Sequence, residues 1–279
     1  GHGSMVPPPP LPLDASPSPE PSPEPSPEPS PSPSTDCIPS AINIDVSHAC
    51  ASGGPAHNNL GGQGPDHGEE VIRYANVGHA NGRSVDLVVR ATSTYTDPRA
   101  ALRNGCKSGG AYGVIHVPVG HHVDLEFTFK DSVDGSSVTL PGFEMTFLDL
   151  DQYHTTLSVE SLRVHGYKSY SLVDPTDVAT LHPPNGEGAD AFKATVWGFG
   201  DDNPTNPMAL TPEQQRKSVA FIFENTSSFT ATFDVSNGYV GRNFFFAGQS
   251  NLVVHCPPSP APTLIPPPIS PPPHAEVAC

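Results

Sequence analysis

Proline is spread so unevenly along this chain that it divides the sequence before any other pattern is considered. Of 36 prolines, 14 fall in residues 6–36 and 10 in residues 257–279, leaving 12 for the stretch from Cys37 to Cys256. Proline has no amide donor and a fixed φ, so dense runs of it cannot join helices or sheet ladders. The ends are therefore expected to stay outside any packed core. Residues 37–256 are long enough to bury one sizeable core, most simply as a single domain.

The remaining boundaries follow from composition. Gly1–Met5 reads as an expression-tag remnant and is set aside. Residues 6–36 form a Ser/Pro/Glu-rich linker, with Ser-Pro-Glu-Pro repeated at 18–21, 22–25 and 26–29. Residues 257–279 form a Pro-rich tail that includes Pro266–Pro268 and Pro271–Pro273. Such segments have little to bury and sample extended polyproline II, acting as semi-rigid spacers. These Ser-Pro and poly-Pro runs resemble the arms of hydroxyproline-rich glycoproteins in green-algal and plant cell walls. The resemblance implies secretion and O-glycosylated Ser-Pro tracts. It covers the arms alone, and the middle carries no motif of a named family.

Charge narrows the partners. Thirteen Lys and Arg face 29 Asp and Glu, for a net −16. All thirteen bases and 23 of the acids lie in the middle, which carries −10. A phosphate-neutralising surface needs the opposite sign, so a nucleic-acid partner is not expected. No apolar run approaches the ~18 residues of a membrane span.

Cysteine use fits an oxidising compartment. Cys37, Cys50, Cys106 and Cys256 lie within the middle with no C-x-x-C spacing, and suggest two disulfides with three possible pairings. The short 37–50 interval is the easiest to close, which favours Cys37–Cys50 with Cys106–Cys256. Cys279 is left over, free or paired with another chain. Asn225-Thr226-Ser227 is an N-glycosylation sequon.

Period-two alternation dominates the middle. Val123, Leu125, Phe127 and Phe129 alternate with Asp124, Glu126, Thr128 and Lys130. Phe229, Ala231, Phe233 and Val235 repeat the pattern, and Val219, Phe221 and Phe223 mark a third strand. Strands are also expected over 84–95, 111–117, 142–150, 158–165, 191–199, 241–246 and 252–256. About ten strands with frequent turn residues predict an all-β fold, an antiparallel β-sandwich or jelly roll. One short helix is predicted after Thr211, with Pro212 at its first position and Gln214 completing a capping box, running about two turns. The chain lacks G-x-S-x-G and G-x-G-x-x-G, which removes the hydrolase-elbow and dinucleotide-fold readings.

Three oxygen-rich groups are candidate calcium ligands. Asp149 and Asp151 are two apart, so on a strand both carboxylates share a face and need a cation, or a proton, between them. Asp201, Asp202 and Asn203 crowd a proline-stiffened loop, and Asp66 and Glu70 flank a Gly-rich one. Turn formation explains the same residues without a metal, and a catalytic carboxylate pair is a third reading of Asp149 and Asp151. His122 and Glu126 share a strand face without the H-x-H element of a cupin metal centre. Ser250 has no triad partner nearer in sequence than His255. Trp197 lies in the Gly-rich run Val196-Trp197-Gly198-Phe199-Gly200, and with Tyr153, Tyr167 and Tyr170 it is a candidate sugar-stacking platform, core packing being the other reading.

Together these features predict a secreted or cell-surface interaction protein, calcium-stabilised, binding glycan or extracellular matrix. A carbohydrate-active enzyme centred on Asp149 and Asp151 and a purely structural wall glycoprotein are the alternatives.

Overall fold

The computed structural model describes residues 42–51, 53–107, 111–154, 156–184, 188–198, 200 and 203–253. The Pro-rich arms, Cys37, Cys256, Cys279, Asp201 and Asp202 lie outside the described residues. In chain order the strands begin with β1 (His57–Asn58), β2 (Val71–Ala80), β3 (Arg83–Ala91), β4 (Gly105–Cys106) and β5 (Gly113–Val117). They continue with β6 (His122–Asp131), β7 (Leu140–Leu148), β8 (Glu160–His165), β9 (Ser169–Ser171) and β10 (Val178–Leu181). The last four are β11 (Ala191–Ala194), β12 (Val219–Thr226), β13 (Ser228–Val235) and β14 (Arg242–Ala247). An eight-stranded sheet runs β1-β2-β3-β6-β13-β8-β11-β10, and a six-stranded sheet runs β4-β5-β14-β7-β12-β9. Neighbours pair antiparallel, and the fold is an all-β sandwich.

The alternating residues face where their pattern requires. Val123, Leu125, Phe127 and Phe129 of β6 are fully buried between the sheets, and β13 places Phe229, Ala231, Phe233 and Val235 beside them. From the other sheet come Phe143, Met145 and Phe147 of β7 and Phe221 and Phe223 of β12. Phenylalanine rings interlock across the core: Phe127 stacks on Phe229 at 4.7 Å and meets Phe246 edge-on at 5.4 Å. Offset and T-shaped contacts of this kind add to the burial of large apolar rings.

Strand β7 is buried on both faces, because the six-stranded sheet is also covered on its outside. There Tyr112, Val114, Leu148, Leu210, Phe245 and Ala247 form a second, smaller cluster, with Leu252 packed against it. The expected helix is present as α3 (Pro212–Arg216), with the Thr211–Gln214 capping box formed, but it is five residues long rather than two turns. Two other short helices, α1 (Val46–Ala51) and α2 (Ala100–Arg103), were not anticipated. Leu252 and Val253 form a turn rather than the start of a strand, and 254–256 lie outside the described residues.

The disulfide pairing differs from expectation. Cys50 on α1 bonds Cys106 on β4, which excludes the Cys37–Cys50 and Cys106–Cys256 pairs. The short sequence interval was overridden because Ile44, Val46 and Ala49 pack α1 into the core, carrying Cys50 to the edge of the six-stranded sheet.

Candidate functional site

One pole of the sandwich gathers the chemistry. Here β7 ends at Leu148, β8 begins at Glu160, β13 ends at Val235 opposite Glu160, and β14 begins at Arg242. Between these ends lies a pocket of about 190 Å³ lined by Asp149, Asp151, Glu160, Asn203, Arg242 and Asn243, among others.

The segment leaving β7 builds it. Asp149 takes a left-handed φ of 63°, and His154, Thr156 and Ser158 are also left-handed, at 52°, 68° and 45°. Four such non-glycine residues within ten positions store backbone strain, which has to be held by the surroundings. Leu150 is pinned by its N–H to the Lys217 carbonyl at 2.8 Å. Ser158 Oγ accepts from the N–H groups of Tyr239 and Val240 at 3.1 and 3.2 Å. Asp151 and Glu160 are joined twice. The Asp151 N–H donates to Glu160 Oε2 at 2.9 Å, and the Glu160 N–H donates to the Asp151 carbonyl at 3.1 Å.

Asp149, Asp151 and Glu160 are all at least nine-tenths buried. Arg242 is paired with two of them: its Nη2 contacts Asp151 Oδ1 and its Nε lies 3.3 Å from Glu160 Oε1. Lys107 stands nearby, its Nζ 4.5 Å over the Phe245 ring and donating to the Pro204 carbonyl at 3.3 Å. Burial, and then the Asp149 charge, push the Glu160 carboxyl well above the ordinary range. Burial draws Arg242 and Lys107 downward, and Asp149 opposes it in both. The site can therefore keep Glu160 as a protonated carboxylic acid beside Asp149 and Asp151, and it offers oxygen atoms from acids and amides in one concavity.

Exposed aromatic rings flank this pole. Trp197 is 56% and Tyr239 74% exposed. Trp197 adjoins the pocket-lining Gly198 and bridges Gln152. Tyr153 packs edge-on to Tyr239 at 6.2 Å. Gly198 is required by close approach, since a Cβ there would run into the Asp151 carboxylate.

The sequence candidates thus sort by position. Asp149, Asp151 and Asn203 line one pocket, and Trp197 and Tyr153 are near chain neighbours of its lining residues Gly198 and Asp151. Asp66 and Glu70 belong to a separate loop, where Asp66 accepts from the Asn58 N–H at 2.7 Å. Tyr167 and Tyr170 pack against core rings, at 5.1 Å to Phe221 and 4.8 Å to Phe192, and do not reach the pocket. His122 and Glu126 lie apart from it on β6, and Ser250 is buried in a hydrogen-bonded trio with Thr146 and Glu144. Glu160, Arg242 and Asn243 were missed. Glu160 reads as one polar residue in an alternating strand, and Arg242 as an isolated base. Among the described residues, no group of three or more His, Cys, Asp and Glu is arranged to hold a metal ion.

No family model matches the chain, and no curated protein matches it. Among solved structures it is similar to the N-terminal domain of the Streptococcus gordonii adhesin Sgo0707 (12% identity, TM-score 0.41), with 64% of this chain and 46% of that one covered. It is also similar to glucan binding protein C of Streptococcus mutans (12% identity, TM-score 0.37), with 72% of this chain and 68% of that one covered. The chain thus spans less than half the length of the adhesin domain and about two thirds of the second protein.

Proposed function

We propose that the domain is a carbohydrate-binding module of a secreted or cell-surface protein, holding its ligand at the pole formed by Asp149, Asp151, Glu160, Asn203, Arg242 and Asn243. The observation that carries this reading is the exposed Trp197 standing next to a pocket of carboxylates and amides. Sugars present hydroxyls, which planar carboxylates and amides pair with, and C–H faces, which stack on flat aromatic rings. Trp197, Tyr153 and Tyr239 supply the rings, and the pocket supplies the polar partners. The Cys50–Cys106 disulfide supports an oxidising compartment.

Calcium is part of the proposal. Asp149, Asp151 and Asn203 offer hard oxygen ligands of the kind calcium takes, and a cation entering there competes with the Arg242 guanidinium for Asp151. Asp201 and Asp202 precede Asn203 in sequence and remain candidates to join it.

The test is a glycan array followed by titration calorimetry on the full chain, in calcium and in EDTA. We expect a retained glycan class, with Trp197→Ala weakening it at least tenfold while the melting curve is unchanged. A blank array in both buffers removes the reading. Equal affinity in calcium and EDTA removes the metal from it and leaves the sugar site.

The raised Glu160 carboxyl beside Asp149 and Asp151 favours one second reading, a carbohydrate-active enzyme with Glu160 as general acid. Product release from an array hit, abolished by Glu160→Gln, identifies that case. Binding with no product identifies the module.

A further inference from the structure

The sequon Asn225-Thr226-Ser227 lies where the chain crosses from one sheet to the other. Strand β12 of the six-stranded sheet ends at Thr226, and β13 of the eight-stranded sheet begins at Ser228. Asn225 falls between the Glu224–Gly142 and Thr226–Leu140 pairs and takes a left-handed φ of 49°. It is exposed, and among the described residues its carboxamide has no hydrogen-bond partner. The turn beyond it is closed independently, because Thr226 Oγ1 donates to the Ser228 carbonyl at 2.7 Å. The Asn225 side chain is therefore presented to solvent by a corner that does not use it.

Asn-X-Ser/Thr occurs at one other place, Asn203-Pro204-Thr205, where the intervening proline disqualifies the acceptor. Asn203 in any case lines the pocket.

We propose that Asn225 is the N-glycosylation site of this domain and carries its glycan at the pole opposite the carboxylate pocket. The donor is a lipid-diphosphate-linked oligosaccharide. The Asn225 carboxamide nitrogen forms a bond to the sugar C1, the C1–O bond to diphosphate breaks with its electron pair leaving on the phosphate oxygen, and an amide proton passes to solvent. Distance from the pocket follows from β13, whose far end pairs Val235 with Glu160. Seven residue steps of strand lead from Ser228 to Val235, roughly 23 Å at ~3.3 Å per step. A glycan on Asn225 thus adds bulk and solubility to one pole and leaves the other open. This inference shares with the reading above its secretory route and nothing of its ligand.

The experiment is expression of the full chain with a signal peptide in a eukaryotic secretory host, then intact-mass and peptide mass spectrometry before and after peptide N-glycosidase. We expect one glycan lost to the amidase and Asn225 converted to Asp. Ser227→Ala, which leaves Asn225 in place, should abolish both changes and still be secreted. Binding of any array hit should be the same with and without the glycan. A secreted protein whose mass the amidase does not alter overturns the proposal, and so does an N-glycan mapped to another asparagine. A blank glycan array leaves this result untouched, so the two failures can be told apart.

Discussion

Arg242 is a cation paired with two of the pocket's buried carboxylates, Asp151 and Glu160. The side chains it faces are nearly inaccessible, Asp151 at 3% and Glu160 at 2%. Removing one partner of a buried ion pair strands the other charges, at a cost of about 3 kcal/mol or more. We therefore expect Arg242→Ala to lower the unfolding free energy read from urea titration by that order at pH 7. Glu160 adds a pH dependence of definite sign. Its folded-state pKa lies above the unfolded value near 4.3, so the native state holds the extra proton in the interval between them. Stability from this group is complete below about pH 4.3 and falls as pH rises through the raised value. Denaturation midpoints across that window should decline in the wild type and flatten in Glu160→Gln; parallel slopes would show the proton to reside elsewhere. His116 has the opposite sign. Its Nδ1 lies 2.6 Å from Asp97, its Nε2 3.0 Å from Arg99, and burial lowers its pKa. Its contribution is present above the unfolded value near 6.5 and is lost as pH falls through the lowered folded value. The convergence of Asp149 with Asp151 was legible in the sequence, but for a different reason than strand alternation. The left-handed turn at Asp149, after β7 has ended, sets their directions, and no pattern of residue types announces a left-handed aspartate. Glu160 and Arg242 were illegible because their meaning comes from two strands meeting 82 residues apart.

At the scale of elements, strands whose alternation is unbroken were recognisable and interrupted ones were not. β6 and β13 read directly from period two. β2 did not, because its pairing with β3 slips between Tyr74 and Gly78, with Asn76 left-handed at 55°. That bulge moves Val77 back to the buried face and destroys the simple pattern. α1 was hidden for another reason: it is six residues long and held by tertiary packing and a disulfide rather than by helix propensity. α3 was visible because its capping box is written locally. Thr211→Ala should cost about 1 kcal/mol, read as a shift in the thermal midpoint. The Cys50–Cys106 link spans a separation of 56 residues, and closing a loop of that size is worth on the order of 4 kcal/mol in the chain-entropy account. Reductant, or Cys50→Ser with Cys106→Ser, should lower the melting temperature. An unchanged melting curve would show that α1 docks by its apolar contacts alone.

For the whole molecule, the acidic excess and the crowding of carboxylates at one pole meet in the calcium proposal. A ligand bound only by the native state stabilises it by RT ln(1 + [L]/Kd), about 2.7 kcal/mol at a hundredfold excess over Kd. Calcium should raise the melting temperature, with magnesium a poor substitute, and Asp151→Asn should reduce the shift. Identical curves in millimolar calcium and in EDTA would leave Arg242 as the pocket's own counter-ion. The sandwich itself was legible at this scale, since proline placement and period-two runs both point to it. The pole that collects the chemistry was not, because strand order decides which ends meet.

One consequence of that strand order is mechanical. The first described residue, Ile42, donates its N–H to the Gly142 carbonyl near the start of β7, and Asp149 follows directly on the end of the same strand. A pull between a ligand gripped at Asp149 and the chain leading into Ile42 therefore runs lengthwise along β7. Its hydrogen bonds to β12 and β14 stand across the strand, so they share the load in shear and must give way together rather than peel one by one. The same tension applied between Ile42 and β9, at the sheet edge, meets a strand of three residues. Pulled along the first axis the domain should rupture at a clearly higher force than along the second, as single-molecule force spectroscopy with handles at these positions would register.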